Sequence, residues 1–335
     1  ADSVRETLRA KLADIESEQS RLKSTIDAAD TYMMRPRGDT IGYASATPFA
    51  DKEHVYVVYG SGVVAAYAHS GERRWITWVG PPHRPMRGNT HGHAASPFIV
   101  GGQLIVALGT LQALNPSNGH MTWRAGTYED FGTPTALDLN GVPALATPRG
   151  HVHRASDGKL LADVGAGIVY VGPIEGDQHV YWVGSTIVAD ATADKDYGTW
   201  ASAYDKRDLA KGTRGLAPLW RTRVGKDAVY ATPALHQNLL YVVDRSGRLT
   251  IIESQRGALN GPFELSTGMA SASPILSGDF LYVFGEDGRA IVGRPGARFR
   301  FHASTQTEGG RSTPFASNGR LYIRSDTSLI CIATP

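Results

Sequence analysis

A proline-anchored phrase recurs seven times along the 335 residues. Each copy places Ser, Thr or Gly before a Pro, and a short apolar strand follows. The anchors are Pro48, Pro97, Pro134, Pro173, Pro233, Pro274 and Pro314. A Leu-Tyr-Val type strand begins seven residues further on, at Val55, Leu104, Val180, Leu240, Leu281 and Leu321; in the third copy it slips to about Ala144. A Gly turn and a third strand come next, and most copies repeat every 37 to 41 residues. Such a unit cannot bury both of its faces alone, so copies must stack around an axis. The expected fold is all-β, a seven-bladed β-propeller of four-stranded antiparallel blades.

The first 30 residues are of another kind. Ser3-Val4-Arg5-Glu6 has the form of a capping box. Val4, Leu8, Leu12, Ile15, Leu22 and Ile26 then recur on one face at helical spacing. The expected organisation is an amphipathic helix over residues 1–30 and a propeller over 31–335. The apolar stripe either docks on the propeller flank or pairs with another copy or a partner, since Leu8, Ile15 and Leu22 lie a heptad apart. The last copy ends soon after Leu329–Ile332, with no outer strand of its own. The segment from Tyr32 to Arg37 is expected to supply it and so remove an exposed strand edge.

Composition narrows the function classes. A formal net charge of +2 gives no global field toward nucleic acid, so no such partner is expected. No run approaches the apolar length of a membrane-spanning helix. Cys331 is the sole cysteine, which rules out an internal disulfide and a multi-cysteine metal site. The opening Ala1-Asp2-Ser3, without Met, suits an exported protein with its leader removed, and a periplasmic or extracellular location is expected.

The second copy carries the fullest repeat phrase, Ala113-Leu114-Asn115-Pro116-Ser117-Asn118-Gly119-His120-Met121-Thr122-Trp123. The first and fourth copies reach Trp75 and Trp220 in the same way, and these three rings are expected to wedge between blades. With this Ala-x-Asn-x-x-x-Gly-x-x-x-Trp phrase and the Ser/Thr-Pro openings, residues 40–333 resemble the bacterial PQQ-repeat, or quinoprotein-like, propellers. The resemblance is strongest to the BamB-like branch that acts in outer-membrane-protein assembly. It implies a binding or assembly role without catalysis. The alcohol-oxidising members carry an adjacent-cysteine disulfide against the cofactor and a calcium site, neither of which aligns here, so no quinone is expected. BamB-like propellers have eight blades, against seven anchors in this chain.

In this layout the loops that precede each anchor, and those joining second to third strands, emerge on one rim. Polar residues concentrate there. The loop after Trp78 contains His83, Arg84, Arg87, His91 and His93. Three positions before the anchors stand Ser45, Ala94, Phe131, Tyr170, Tyr230, Ser271 and Arg311, and the second-to-third-strand loops add Arg149, Arg245, Glu286, Asp287 and Arg324. The expected binding set is Arg87, His91, His93, Phe131, Tyr170, Tyr230, Arg245 and Arg311, receiving a protein or glycan ligand; equally, the aromatic members would simply plug the axis. His91-Gly92-His93, helped by Glu129 or Asp130, is the one place for a metal, although no cofactor is expected. His151 and His153 read as a structural pair on a strand. The long fourth copy, with Asp190, Asp194, Asp196 and the basic run Lys206–Arg214, reads as a solvated flap.

Two functions compete. The leading one is an exported, non-catalytic scaffold that binds through this rim. The alternative is a polysaccharide lyase on uronate-containing glycans, with His91, His93 or Tyr230 as base and Arg87, Arg245 or Arg311 neutralising the carboxylate.

Overall fold

The computed structural model describes residues 2–32, 45–80, 93–128, 131–186, 198–212 and 214–333. Helix α1 spans Asp2–Tyr32. Seven antiparallel sheets then follow in chain order, each built from consecutive strands. Sheet 1 is β1 (Phe49–Ala50), β2 (His54–Val58), β3 (Val63–Ala68) and β4 (Arg73–Trp78). Sheet 2 is β5 (Phe98–Val100), β6 (Gln103–Leu114) and β7 (Met121–Tyr128). Here the second and third strands of the blade run as one element, with Gly109 at a φ of 69°. Sheet 3 is β8 (Thr135–Leu139), β9 (Val142–Ala146), β10 (His151–Arg154) and β11 (Leu160–Asp163). Sheet 4 is β12 (Ile174–Glu175), β13 (His179–Ser185), β14 (Thr199–Asp205) and, after the short helix α2 (Lys206–Ala210), β15 (Trp220–Gly225). Sheet 5 is β16 (Ala234–His236), β17 (Leu239–Val243), β18 (Arg248–Glu253) and β19 (Leu259–Glu264). Sheet 6 is β20 (Ile275–Ser277), β21 (Phe280–Phe284), β22 (Arg289–Arg294) and β23 (Arg300–Gln306). Sheet 7 is β24 (Phe315–Ser317), β25 (Arg320–Arg324) and β26 (Leu329–Ala333).

The fold is the expected seven-bladed β-propeller with an N-terminal helix. Every first strand starts just after its Pro anchor, because Pro fixes φ and lacks the N–H that a sheet interior would need. Two compact units make up the chain: residues 1–98 with 104–129, and residues 99–103 with 130–335. Within the second unit, Leu137, Val152, Val180, Ala201 and Leu240 form one continuous core across sheets 3 to 5. A second core joins sheets 5 and 6 through Tyr241, Ile251 and Leu281. Inner strands covered on both faces read as unbroken apolar runs, as in β17 (Leu-Leu-Tyr-Val-Val), whereas the outer β23 is exposed along its whole length.

The Ser/Thr-Pro phrase has a direct physical cause. The backbone N–H of Thr47 donates to Ser96 Oγ at 3.0 Å. In the second unit, Thr232 N–H donates to Ser273 Oγ at 2.9 Å, and Ser273 N–H donates to Thr313 Oγ1 at 3.0 Å. At these three anchors the hydroxyl before the Pro thus satisfies a backbone donor of the preceding blade. Where the phrase has Gly172 instead, a Cβ would sit 2.2 Å from the Thr133 carbonyl oxygen, so only glycine fits. Ser273→Ala is therefore expected to cost about 1–3 kcal/mol, the penalty for orphaning a partly buried donor, as read from the denaturant midpoint. A change under a few tenths would remove this belt as an account of the phrase.

The Trp wedges form a second repeated device. Trp75 of β4 donates from Nε1 to Pro116 O at 2.8 Å in the sheet 2 turn. Trp220 of β15 donates to Ser254 O at 2.9 Å in the sheet 5 turn. Both rings lie on a glycine: a Cβ at Gly119 or Gly257 would come within 2.5 Å of the ring. Trp75 and Trp123 are buried and Trp220 is half-buried.

One expectation is corrected and another lies out of reach. The basic run is not a solvated flap from its start: Lys206–Ala210 is helical, Asp205 caps it by accepting from Arg207 N, and Leu209 is fully buried. Lys206 is buried as well and pairs with Glu175 at 2.5 Å. The acidic stretch Asp190–Asp196 lies outside the described residues; of the expected closing strand Tyr32–Arg37, Tyr32 is instead the last residue of α1 and the rest lies outside the described residues.

Candidate rim site

The second unit brings rim residues of five consecutive sheets into one connected arc. Phe131, just before β8, stacks on Tyr170, just before β12, with centroids 5.8 Å apart. Tyr170 meets Tyr230, just before β16, edge to face at 4.8 Å. The Arg245 guanidinium, from the β17–β18 loop, lies 6.0 Å from the Tyr230 ring centre. Its Nε also reaches Met269 Sδ at 3.5 Å. Glu286, from the β21–β22 loop, continues the arc: it accepts from Ser271 Oγ at 2.5 Å and from Arg311 Nε at 3.1 Å.

Backbone hydrogen bonds hold these loops in place. Arg245 N–H donates to Ala228 O at 2.7 Å, and Arg245 O accepts from Ala270 N at 3.1 Å. One sheet on, Glu286 N–H donates to Met269 O at 2.7 Å, and Glu286 O accepts from Gly310 N at 3.0 Å. Asp326 N–H closes onto Gly309 O at 3.2 Å. Arg245, Glu286 and Asp326 occupy the same place, two residues past the second strand of their sheets. The loop before Tyr230 is pinned further: Val229 N–H donates to Ser185 Oγ at 2.9 Å, and Arg248 ion-pairs with Asp227 and Asp244. A rim braced in this way presents side chains without paying much ordering entropy on binding.

Exposure sorts the expected residues. Phe131 is covered, at 8% exposure, and acts as the floor of the stack. Tyr170 and Tyr230 are half-buried, and Arg245 and Arg311 are exposed. Arg311 already shares its charge with Glu286, so Arg245 is the cation of the arc that faces an aromatic ring instead of a carboxylate. Beside the arc, hydrogen bonds from Ser325, Ser328 and Thr327 hold the Glu308 carboxyl below its ordinary range and keep it ionised. Sequence reasoning missed Met269 and the backbone belt. The belt's only sequence signal is the constant spacing between second strand and turn.

The histidines fare differently. His93 belongs to the first unit and is 6% exposed, with its carbonyl accepting from Ser45 Oγ at 2.9 Å. Arg87, His91, Glu129 and Asp130 lie outside the described residues. Among the described residues, no group of three or more His, Cys, Asp or Glu is placed to hold a metal. His153 is buried, its Nδ1 lies 2.9 Å from Gly158 O, and burial depresses its pKa. His151 packs edge-on against it at 6.1 Å, as a structural pair would. Cys331 is exposed on β26.

The seven sheets define the class, a seven-bladed β-propeller, and its repeat phrase is similar to that of the PQQ-repeat propellers. The family model described as outer membrane protein assembly factor BamB matches residues 36–191. BamB from Moraxella catarrhalis superposes with a TM-score of 0.61 at 16% identity, over 86% of this chain and 84% of its own. The computationally designed Ika8 protein gives 0.60 at 11% identity, over 84% and 80%. Quinohemoprotein alcohol dehydrogenase from Comamonas testosteroni gives 0.52 at 12% identity, over 89% and 75%. At these identities the likeness carries the fold alone. No curated protein matches the chain. No helix among the described residues is long and apolar enough to cross a membrane.

Proposed function

We propose that this protein is an exported, non-catalytic scaffold that holds a partner protein on the rim formed by Tyr170, Tyr230 and Arg245. The observation that carries the reading is the arc itself. Loops from consecutive blades converge on half-buried tyrosines under an accessible guanidinium, braced by a backbone belt. Tyr and Arg are the residue types that dominate binding energy at protein interfaces, and rigid loops keep the entropic cost low. A guanidinium over an aromatic face suits a carboxylate-bearing segment of the partner. The likeness to an outer membrane protein assembly factor supports a role in assembly, and it supports a location outside the cytoplasm.

Tyr230→Ala and Arg245→Glu should each weaken partner binding by about 30-fold, the loss typical of an interface hot spot, while the far-ultraviolet spectrum stays unchanged. Affinity measured by calorimetry with the purified partner reads this directly. Wild-type affinity in both variants would remove the rim from the account.

A further inference from the structure

Helix α1 presents an apolar stripe that nothing among the described residues covers. From Glu6 to Ser24 every residue is exposed, including Leu8 at 60%, Leu12 at 55%, Ile15 at 57% and Leu22 at 47%. A helix of this length with a bare Leu/Ile stripe gains little from tertiary packing, which normally supplies most helical stability. We infer that the helix pairs with the same helix of a second copy, as a parallel, in-register two-stranded coiled coil.

The register follows from the residues. With Leu8, Ile15 and Leu22 at the d positions, Leu12 and Gln19 fall at the a positions. The flanking g positions are then Lys11 and Glu18, and the e positions include Glu16 and Lys23. In a parallel pair, each g residue faces the e residue five places further along the partner helix. Lys11 meets Glu16 and Glu18 meets Lys23, so both contacts join opposite charges and symmetry makes each of them twice. Glu18 is already bonded to Arg21 within its own helix at 2.6 Å. A carboxylate has enough acceptor sites to take Lys23 of the second copy as well.

Orientation is set by the polar core position. In a parallel pair Gln19 faces Gln19, and each amide supplies both donor and acceptor to the other. An antiparallel pairing that keeps the charges matched sets Gln19 against Leu8 and strands its amide among apolar groups. The mixed charge beside the apolar stripe, with Arg9, Lys11, Asp14 and Glu16 the charged residues met in turn along the chain, likewise favours a protein helix over an anionic lipid surface. Pairing would carry two binding rims on one particle, so that a partner with repeated segments gains by avidity.

The test uses the full chain in sedimentation velocity across a concentration series. The wild type should show a reversible monomer–dimer equilibrium. Leu8→Ser/Ile15→Ser/Leu22→Ser should raise the dissociation constant by at least about 100-fold. Glu16→Lys/Glu18→Lys and Lys11→Glu/Lys23→Glu should each be monomeric alone and should dimerise when mixed, a rescue that a merely structural role for the helix would not produce. Leu22→Cys in a Cys331→Ser background should crosslink to its own copy on mild oxidation. A wild-type chain that stays monomeric, mixed variants that fail to pair, a dimer that does not crosslink, or a monomer that instead binds phosphatidylcholine/phosphatidylglycerol vesicles would each overturn the inference.

Discussion

Replacing Trp75 with Ala is expected to destabilise the protein by about 3–5 kcal/mol, the range for deleting a large buried aromatic. The ring is buried, and it lies 6.1 Å from Tyr56 on its own sheet and against Gly119 in the sheet 2 turn. Truncation opens a cavity between two blades and removes the Nε1–H bond to Pro116 O. Trp78, three residues further along the same strand and so on its opposite face, is a built-in control. It is 37% exposed and bonds only to Ser61 of its own sheet, so Trp78→Ala should cost far less. Gly119→Ala probes the same contact from the other side. Gly119 sits at a φ of 73°, and an added Cβ would lie 2.5 Å from Trp75 Cε3. Part of the penalty is left-handed backbone strain and part is the clash. Only the clash disappears when the indole is absent, so Gly119→Ala should cost less in the Trp75→Ala background than in the wild type. Additive losses in that double-mutant cycle would contradict the wedge.

Deleting residues 1–40 is expected to destabilise the propeller, whereas deleting residues 1–28 should leave its melting temperature unchanged. The motive is the edge of sheet 7. β26 is the last strand of a three-stranded sheet and exposes Leu329 at 73% and Ile332 at 45%. An open edge of this kind loses both ladder hydrogen bonds and apolar cover. Losing a whole strand amounts to several kcal/mol, and at about 2–4 °C per kcal/mol the longer deletion should lower the melting temperature by on the order of 10 °C. Equal melting temperatures for the two truncations would place closure elsewhere. The shorter truncation also separates the two roles of the N-terminus, because it should abolish self-association without touching the ring.

Much of this was legible in the sequence, for reasons that differ by element. The Pro anchors marked all seven first strands because proline acts through its own ring, without needing a partner. The Trp phrase was legible because each copy carries its own turn glycine and its own indole, although the ring of one sheet meets the glycine of the next. Lys206–Ala210 was misread because its basic composition suggests a solvated run. Its burial depends on Glu175, 31 residues earlier, and a long-range ion pair leaves no local pattern. The rim was half legible. Register placed Phe131, Tyr170, Tyr230, Arg245 and Arg311 on one edge, but it could not show that Phe131 is the floor of a stack or that Arg311 is bound to Glu286. Those distinctions arise from packing between blades, which the repeat does not encode.

The central claim is that the tyrosine and arginine rim is the binding face. Site-specific photo-crosslinking in the native host tests it most directly, with the reactive residue placed at Tyr170 or Arg245 and, for comparison, at Asp157 or Arg256 in the third-to-fourth-strand turns at the other end of the sheets. The account predicts the same discrete partner adduct from Tyr170 and Arg245, and none from Asp157 or Arg256. Adducts from the turn positions alone would contradict it.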